Sequence, residues 1–322
     1  MKAVRIREYG GVEVLRWEES DIPTPRPHQV LIKVESSGVN YADIMRRQGN
    51  YPGPDLPATL GLEAAGIIEQ IGSDVSSSLE VGQRVMGMGP QGNAEYVAIN
   101  ANLVFPYPSN IDPQIAGGMP IAFLTAYHLL RSRGQVQKGD NILIQAGASG
   151  VGTIATQMAH AWGAKVITTA STTDKLELSK SLGADETINY TEQDFEKSVM
   201  ELTEGKGVQL ILECVGGQIL EKSIRCLAPY GQLISYGNAS GITANIPSTD
   251  FTSANRRITG FSMGRSPVGT LDHESAMKEL TPMIEAGSLK LIVDRIQPMS
   301  EVAKAHQHLS DRGTRGKVIL IP

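Results

Sequence analysis

"LIQAGASGVGTIATQMAHAWGAKVITTAST", Leu143 to Thr172, decides the fold. An apolar run meets a bend rich in glycine and serine. A stretch with helical spacing follows, and then a second apolar run ending in hydroxyls. That order is a strand, a turn, a helix and a second strand, the unit from which parallel sheets are built. Glycines fall at 147, 150 and 152. The dinucleotide fingerprint G-x-G-x-x-G would also ask for glycine at 149, where this chain has Ser149. The physics survives the change. Small residues let backbone approach a pyrophosphate, and a helix start offers free N–H groups and its positive end. The turn at 147–152 is therefore the expected pyrophosphate site, with the Ser149 hydroxyl as an added donor.

The second strand bears on the adenosine ribose. A site for NAD puts Asp or Glu about 20 residues on, to bond the 2′-hydroxyl. Here the strand ends in Thr168–Thr172 without an acid, and the first acid, Asp174, is followed by Lys175. Hydroxyls with a lysine suit a 2′-phosphate, so the sequence predicts NADPH.

Working outward, strands and helices alternate from "NILIQA" to "GQLISYG", which predicts a doubly wound parallel sheet. Residues before it read as short strands broken by "YGG" and "DIPTPRP". The tail ends in the strand-like "GKVILIP", expected to pair back into the first sheet. The expected fold class is α/β, a Rossmann-type sheet over 122–260 inserted into a β-rich domain made of 1–121 and 261–322. A ligand cleft is expected where two such domains meet. "GQLISYG" followed by "ITANIP" is the expected edge of the parallel sheet.

Composition narrows the class. The 322 residues are 41% hydrophobic and 20% charged, with net charge −5. There is no basic footprint for nucleic acid and no apolar run of membrane-spanning length. Two cysteines form no disulfide framework, which suits a reducing, cytoplasmic setting.

"VLIKVESSGVNYADIMRRQGNYP", "LGLEAAGIIEQIG", "QAGASGVG", "LGADETINY", "LILECVGG" and "RGKVILIP" follow one another along nearly the whole chain. The ordered set resembles the zinc-free NADPH:quinone oxidoreductase branch, zeta-crystallin-like, of the medium-chain dehydrogenases/reductases. The resemblance implies a β-rich GroES-like catalytic domain around the Rossmann domain. Zinc members of that superfamily have a cysteine and a histidine where this chain has Asn40 and Leu62, and a third ligand near Ala122. None of the three residues here is a zinc ligand, so no metal is expected. His306 and His308, two apart on a helix, point to different faces.

Without a Lewis acid, an electron-poor acceptor is implied, with hydrogen-bond donors helping the oxygen that gains charge. The resemblance places Asn40 and Tyr51 at the nicotinamide and substrate, with Tyr41, Met45 and Thr125 lining the pocket. Asp43 is expected to cap its helix, and Glu63 to be structural. On the cofactor side the resemblance places Ser149, Gly150, Val151 and Gly152 at the pyrophosphate and Ser171, Lys175 and Tyr190 around the adenosine phosphate. Gly237, Asn238 and Phe261 fall near the nicotinamide ribose and amide, and Arg315 is a further cation for phosphate. The implied activity is NADPH-dependent hydride transfer to a quinone. Two alternatives stay open: reduction of the double bond of an enone, enal or enoyl thioester, and an NADPH-binding structural or regulatory protein without turnover. A homodimer is expected from the resemblance.

Overall fold

The computed structural model describes residues 1–76, 78–266 and 271–322. Its contacts divide the chain into two units, Met1–Ala122 with His273–Pro322, and Phe123–Asp272. The expected boundary at 260/261 thus lies twelve residues before the observed one at 272/273.

The second unit is built on six parallel strands. Their order is Glu186–Asn189, Lys165–Ala170, Asn141–Ile144, Val208–Glu213, Leu227–Ser235 and Arg257–Gly260. The first strand in sequence lies third, and the chain reverses direction beside it, which is the doubly wound pattern. The strands form because short apolar runs can be covered on both faces. Leu143, Ile167, Ile188, Ile211 and Leu233 meet Phe195, Val199 and Ile224 from the helices in one buried cluster. Helix Gly150–Ala161 packs through small residues, with Ile154, Ala155, Met158 and Ala159 fully buried.

One local expectation is corrected. The edge strand is Arg257–Gly260, outside Leu227–Ser235, and "ITANIP" forms no strand. Its residues are mostly exposed, so no apolar alternation marks it. Met119–Tyr127 is α-helical, and His128–Arg133 continues in wider turns closed by the Gly134 N–H on Leu129 O, 2.9 Å.

The first unit centres on the long strand Gln29–Val39. Glu63–Ile71 pairs along one side of it. Along the other, Tyr96–Asn100 pairs with its first half and Lys317–Ile321 with its end, through Val318↔Val39 and Leu320↔Ser37. The last strand does return to the N-terminal sheet. Val30, Ile32, Ile68, Val85, Val97, Val318 and Leu320 form the core. A smaller antiparallel sheet joins Arg16–Glu19, Lys2–Ile6 and Ala58–Thr59. Among the described residues, no helix is long and apolar enough to cross a membrane.

Candidate functional site

The quoted stretch folds as a strand, Asn141–Ile144, a tight turn and helix Gly150–Ala161. Ser149 caps the helix in extended conformation, and its Oγ accepts the Gly152 N–H at 3.0 Å. That is why serine serves where the fingerprint has glycine: the hydroxyl oxygen satisfies one orphan donor. Glycine is needed at the flanking positions. A Cβ at 152 would lie 2.4 Å from Ala146 O, and one at 147 would lie 2.6 Å from Thr168 Cβ. Among the described residues, nothing accepts from the N–H of Gly150 or Val151. Two free donors at a helix start are suited to an anion.

The remaining cofactor candidates of this unit gather at the carboxyl ends of the strands, where open parallel sheets bind ligands. Ser171 follows Lys165–Ala170 and Tyr190 follows Glu186–Asn189. The two strands pair at Ala170↔Asn189, and the Tyr190 N–H donates to Ala170 O at 3.2 Å. Lys175 lies in the first turn of the adjoining helix Thr173–Ser181. Gly237 and Asn238 follow Leu227–Ser235, and the Asn238 amide oxygen accepts from the Ser240 hydroxyl at 3.2 Å. Phe261 follows Arg257–Gly260; its N–H donates to Ser235 O at 2.9 Å and its side chain is buried.

Sequence reading missed Glu213 at the same edge. Its Oε1 accepts from the N–H groups of Val215 and Gly216, at 2.6 and 2.8 Å, which fixes the loop after Val208–Glu213. Burial raises its pKa, and the two N–H bonds pull it back. The available signal was an acid closing an otherwise apolar run, "LILE".

The first unit holds a buried polar cluster around Asn40. Asn40 opens helix Tyr41–Arg47, and its N–H donates to Asp43 Oδ2 at 2.8 Å, the capping role expected of Asp43. Its amide group is fully engaged. Nδ2 donates to Glu63 Oε1 at 2.9 Å and to Gly38 O at 3.3 Å, and Oδ1 accepts from Lys317 Nζ at 2.6 Å. Lys317 Nζ is also 2.7 Å from Glu63 Oε1, and Glu63 Oε2 accepts the Ile121 N–H at 2.8 Å. Asp43, Glu63 and Lys317 are all buried. Burial pushes the Asp43 carboxyl up to about 7, against the pull of the Asn40 N–H and the Lys317 charge. Glu63, expected to be structural, is the hub of this cluster. Lys317 was not singled out; its signal was a lone cation heading the apolar strand "KVILI".

The other candidates are more dispersed. Tyr41 and Met45 are four apart on one helix and so share a face, Tyr41 exposed and Met45 half-buried. Tyr51 is half-buried, with its carbonyl accepting from Arg46 Nη1 at 3.3 Å. Thr125 belongs to the second unit, buried in helix Met119–Tyr127. Arg315 belongs to the first, and its N–H donates to Asp294 Oδ1 at 2.9 Å. His306 and His308 do diverge: His306 Nδ1 lies 3.4 Å from Arg47 Nη1, and His308 Nε2 lies 2.9 Å from Asp294 Oδ2.

Comparison with known proteins agrees with this architecture. Residues 26–109 match the family model for the alcohol dehydrogenase GroES-like domain, and residues 150–285 that for zinc-binding dehydrogenases. The chain is 32% identical to a 2-haloacrylate reductase of a Burkholderia species, over 99% of this chain and 98% of that protein. Its structure is similar to that of Escherichia coli quinone oxidoreductase complexed with NADPH, with a TM-score of 0.94, 31% identity and all of both chains covered. A quinone oxidoreductase of Pseudomonas aeruginosa is 35% identical over 100% of this chain and 99% of its own length. With that extent of likeness and this two-part fold, the chain belongs to the quinone oxidoreductase family of the medium-chain dehydrogenases/reductases.

Proposed function

We propose that the protein is an NADPH-dependent, zinc-independent reductase of quinones. The observation that carries this is the turn at 147–152. Its two free N–H groups and its close-packed glycines fit a diphosphate, and it adjoins a strand end bearing hydroxyls and Lys175 in place of a carboxylate. The similar E. coli protein was solved with NADPH. Gly150 and Val151 hold the pyrophosphate, and Ser171, Lys175 and Tyr190 hold the 2′-phosphate. Gly237, Asn238 and Phe261 flank the nicotinamide end. The nicotinamide supplies a hydride when bound; binding, orientation and stabilisation of charge fall to the protein.

Zinc independence rests on the chemistry around Asn40. An ammonium, Lys317 Nζ, already lies 2.6 and 2.7 Å from the oxygens of Asn40 and Glu63, and it repels a divalent cation brought to the same oxygens. A quinone accepts hydride without a Lewis acid, and Asn40 and Tyr51 supply polar groups on the acceptor side. The sheet edge Arg257–Gly260 offers free ladder groups through which two copies pair as a homodimer, which a solution mass measurement checks.

A second reading, reduction of an activated double bond, is favoured by the 2-haloacrylate reductase relative. One experiment separates the two. Consumption of NADPH and of NADH is followed with a naphthoquinone, with a simple enone and with no acceptor. Quinone-dependent loss of NADPH, faster than of NADH, supports the proposal. Turnover of the enone alone transfers the protein to the double-bond reductases. Consumption of neither cofactor leaves a cofactor-binding protein without turnover.

A further inference from the structure

Arg46, in the last turn of helix Tyr41–Arg47, is 8% exposed, yet among the described residues its Nε and Nη2 have no hydrogen-bond partner. The remaining nitrogen is held. Nη1 lies 3.3 Å from Tyr51 O and 3.4 Å from the Tyr9 hydroxyl, and Cζ stands 5.7 Å from the centre of the Tyr9 ring. No carboxylate among the described residues is within ion-pair distance of it. A guanidinium stays charged at any physiological pH, and leaving its donors both dry and unpaired is costly. The two idle nitrogens are moreover a matched pair. Nε–H and one N–H of Nη2 point the same way, forming the side-on fork that fits the two oxygens of a carboxylate.

What covers the fork is equally specific. A Cβ at Gly53 would lie 2.5 Å from Arg46 Nε and 2.9 Å from Cζ, so the chain crosses the guanidinium at a residue without a side chain. From 51 to 57, no backbone N–H donates to another backbone group among the described residues, and Pro52, Pro54 and Pro57 have none to donate. Pro52, Gly53, Pro54 and Asp55 are exposed. The segment lies on the arginine with few bonds to break on lifting.

We propose that Arg46 is an anion seat in the acceptor site. Its Nε–Nη2 edge receives the carboxylate of an acidic quinone or α,β-unsaturated acid, and residues 51–57 lift to admit it. The inference rests on the reading of Asn40 and Tyr51 as acceptor-side residues, since Arg46 shares a helix with the first and bonds the second.

The test uses two acceptors with the same redox centre, a naphthoquinone bearing a carboxymethyl group and its carboxamide counterpart. The readout is the acid-to-amide ratio of kcat/KM in the native enzyme, Arg46→Gln and Arg46→Lys. The ratio should fall roughly 10- to 100-fold in Arg46→Gln, chiefly through KM, the worth of hydrogen bonds to a charged group. Arg46→Lys, which keeps charge but loses the fork, should recover part of it. A ratio unchanged within experimental error in the folded variants overturns the seat. If Arg46→Gln fails to fold, the Arg46→Lys ratio alone decides. If the native enzyme reduces neither acceptor, the quinone reading falls, and calorimetric titration of the two compounds still judges Arg46. Preferential binding of the acid that Arg46→Lys weakens supports the seat; equal binding of acid and amide overturns it.

Discussion

Lys317 Nζ lies 2.7 Å from Glu63 Oε1 with both side chains buried, and Asn40 bonds to each of them. Removing one partner of a buried pair strands the other's charge, which costs about 3–5 kcal/mol. Lys317→Met should therefore lower stability by about that amount, and Lys317→Met with Glu63→Gln by less than the sum of the two single changes. Urea unfolding of the four proteins measures it. Additive losses would show that the pair is not coupled.

His306 is buried against Arg47, and desolvation, reinforced by the Arg47 charge, drives its imidazole down to about 3. The unfolded chain, with an ordinary histidine near 6.5, takes up the proton first. Stability from this group is complete above pH 6.5 and is lost as pH falls toward 3. His306→Gln should flatten the acid limb of the stability profile, read as the urea midpoint between pH 4 and 7. An unaltered slope in the variant contradicts this.

Asp43 acts with the opposite sign. Its folded carboxyl titrates at about 7, far above the unfolded value, because burial outweighs the Asn40 N–H and the Lys317 charge, and the Glu63 charge adds to the rise. The folded state holds the extra proton, so this contribution is complete below about pH 4 and is lost as pH rises to 7. Asp43→Asn keeps an acceptor for the Asn40 N–H and cannot ionise. The stability of Asp43→Asn relative to the native protein should therefore rise from pH 4 to pH 8.

At Gly152 a methyl group would meet the Ala146 carbonyl at 2.4 Å. Gly152→Ala should cost about 1–3 kcal/mol by overpacking. It should also weaken NADPH binding by about tenfold or more, since the turn that presents the free N–H groups must open. Fluorescence titration of NADPH gives the second quantity. Retained affinity would place the cofactor elsewhere.

Cys214 and Cys226 have thiols pushed up to about 12 by burial. Thiolate is the reacting form, so iodoacetamide at pH 8 should leave both unmodified in the native protein and label both in urea, as counted by mass spectrometry.

Much of the fold was legible because its signals are local. The strands Asn141–Ile144, Lys165–Ala170 and Val208–Glu213 each carry a short apolar run followed by a turn, and the turn at 147–152 lies within a few residues of sequence. Arg257–Gly260 was invisible because an exposed edge strand needs no apolar pattern. The cluster around Asn40 was half legible. The Asn40–Asp43 cap is a three-residue motif, but the bond from Lys317 to Asn40 spans 277 positions and exists only because the last strand pairs with Gln29–Val39. Arg46 in "MRRQ" carries no local mark of burial; packing under Gly53 and beside the Tyr9 ring buries it.

The antiparallel pairing of Lys317–Ile321 with Gln29–Val39 sets a timetable for biosynthesis. The ribosome makes Glu63 early and Lys317 only after the whole of Phe123–Asp272 has emerged. The parallel-sheet unit is contiguous, so it can fold while translation continues. The N-terminal strands meanwhile wait with an unclosed ladder and a carboxylate lacking its counter-charge. Closure of the sheet around Glu63 thus has to wait until the contiguous second unit has been made.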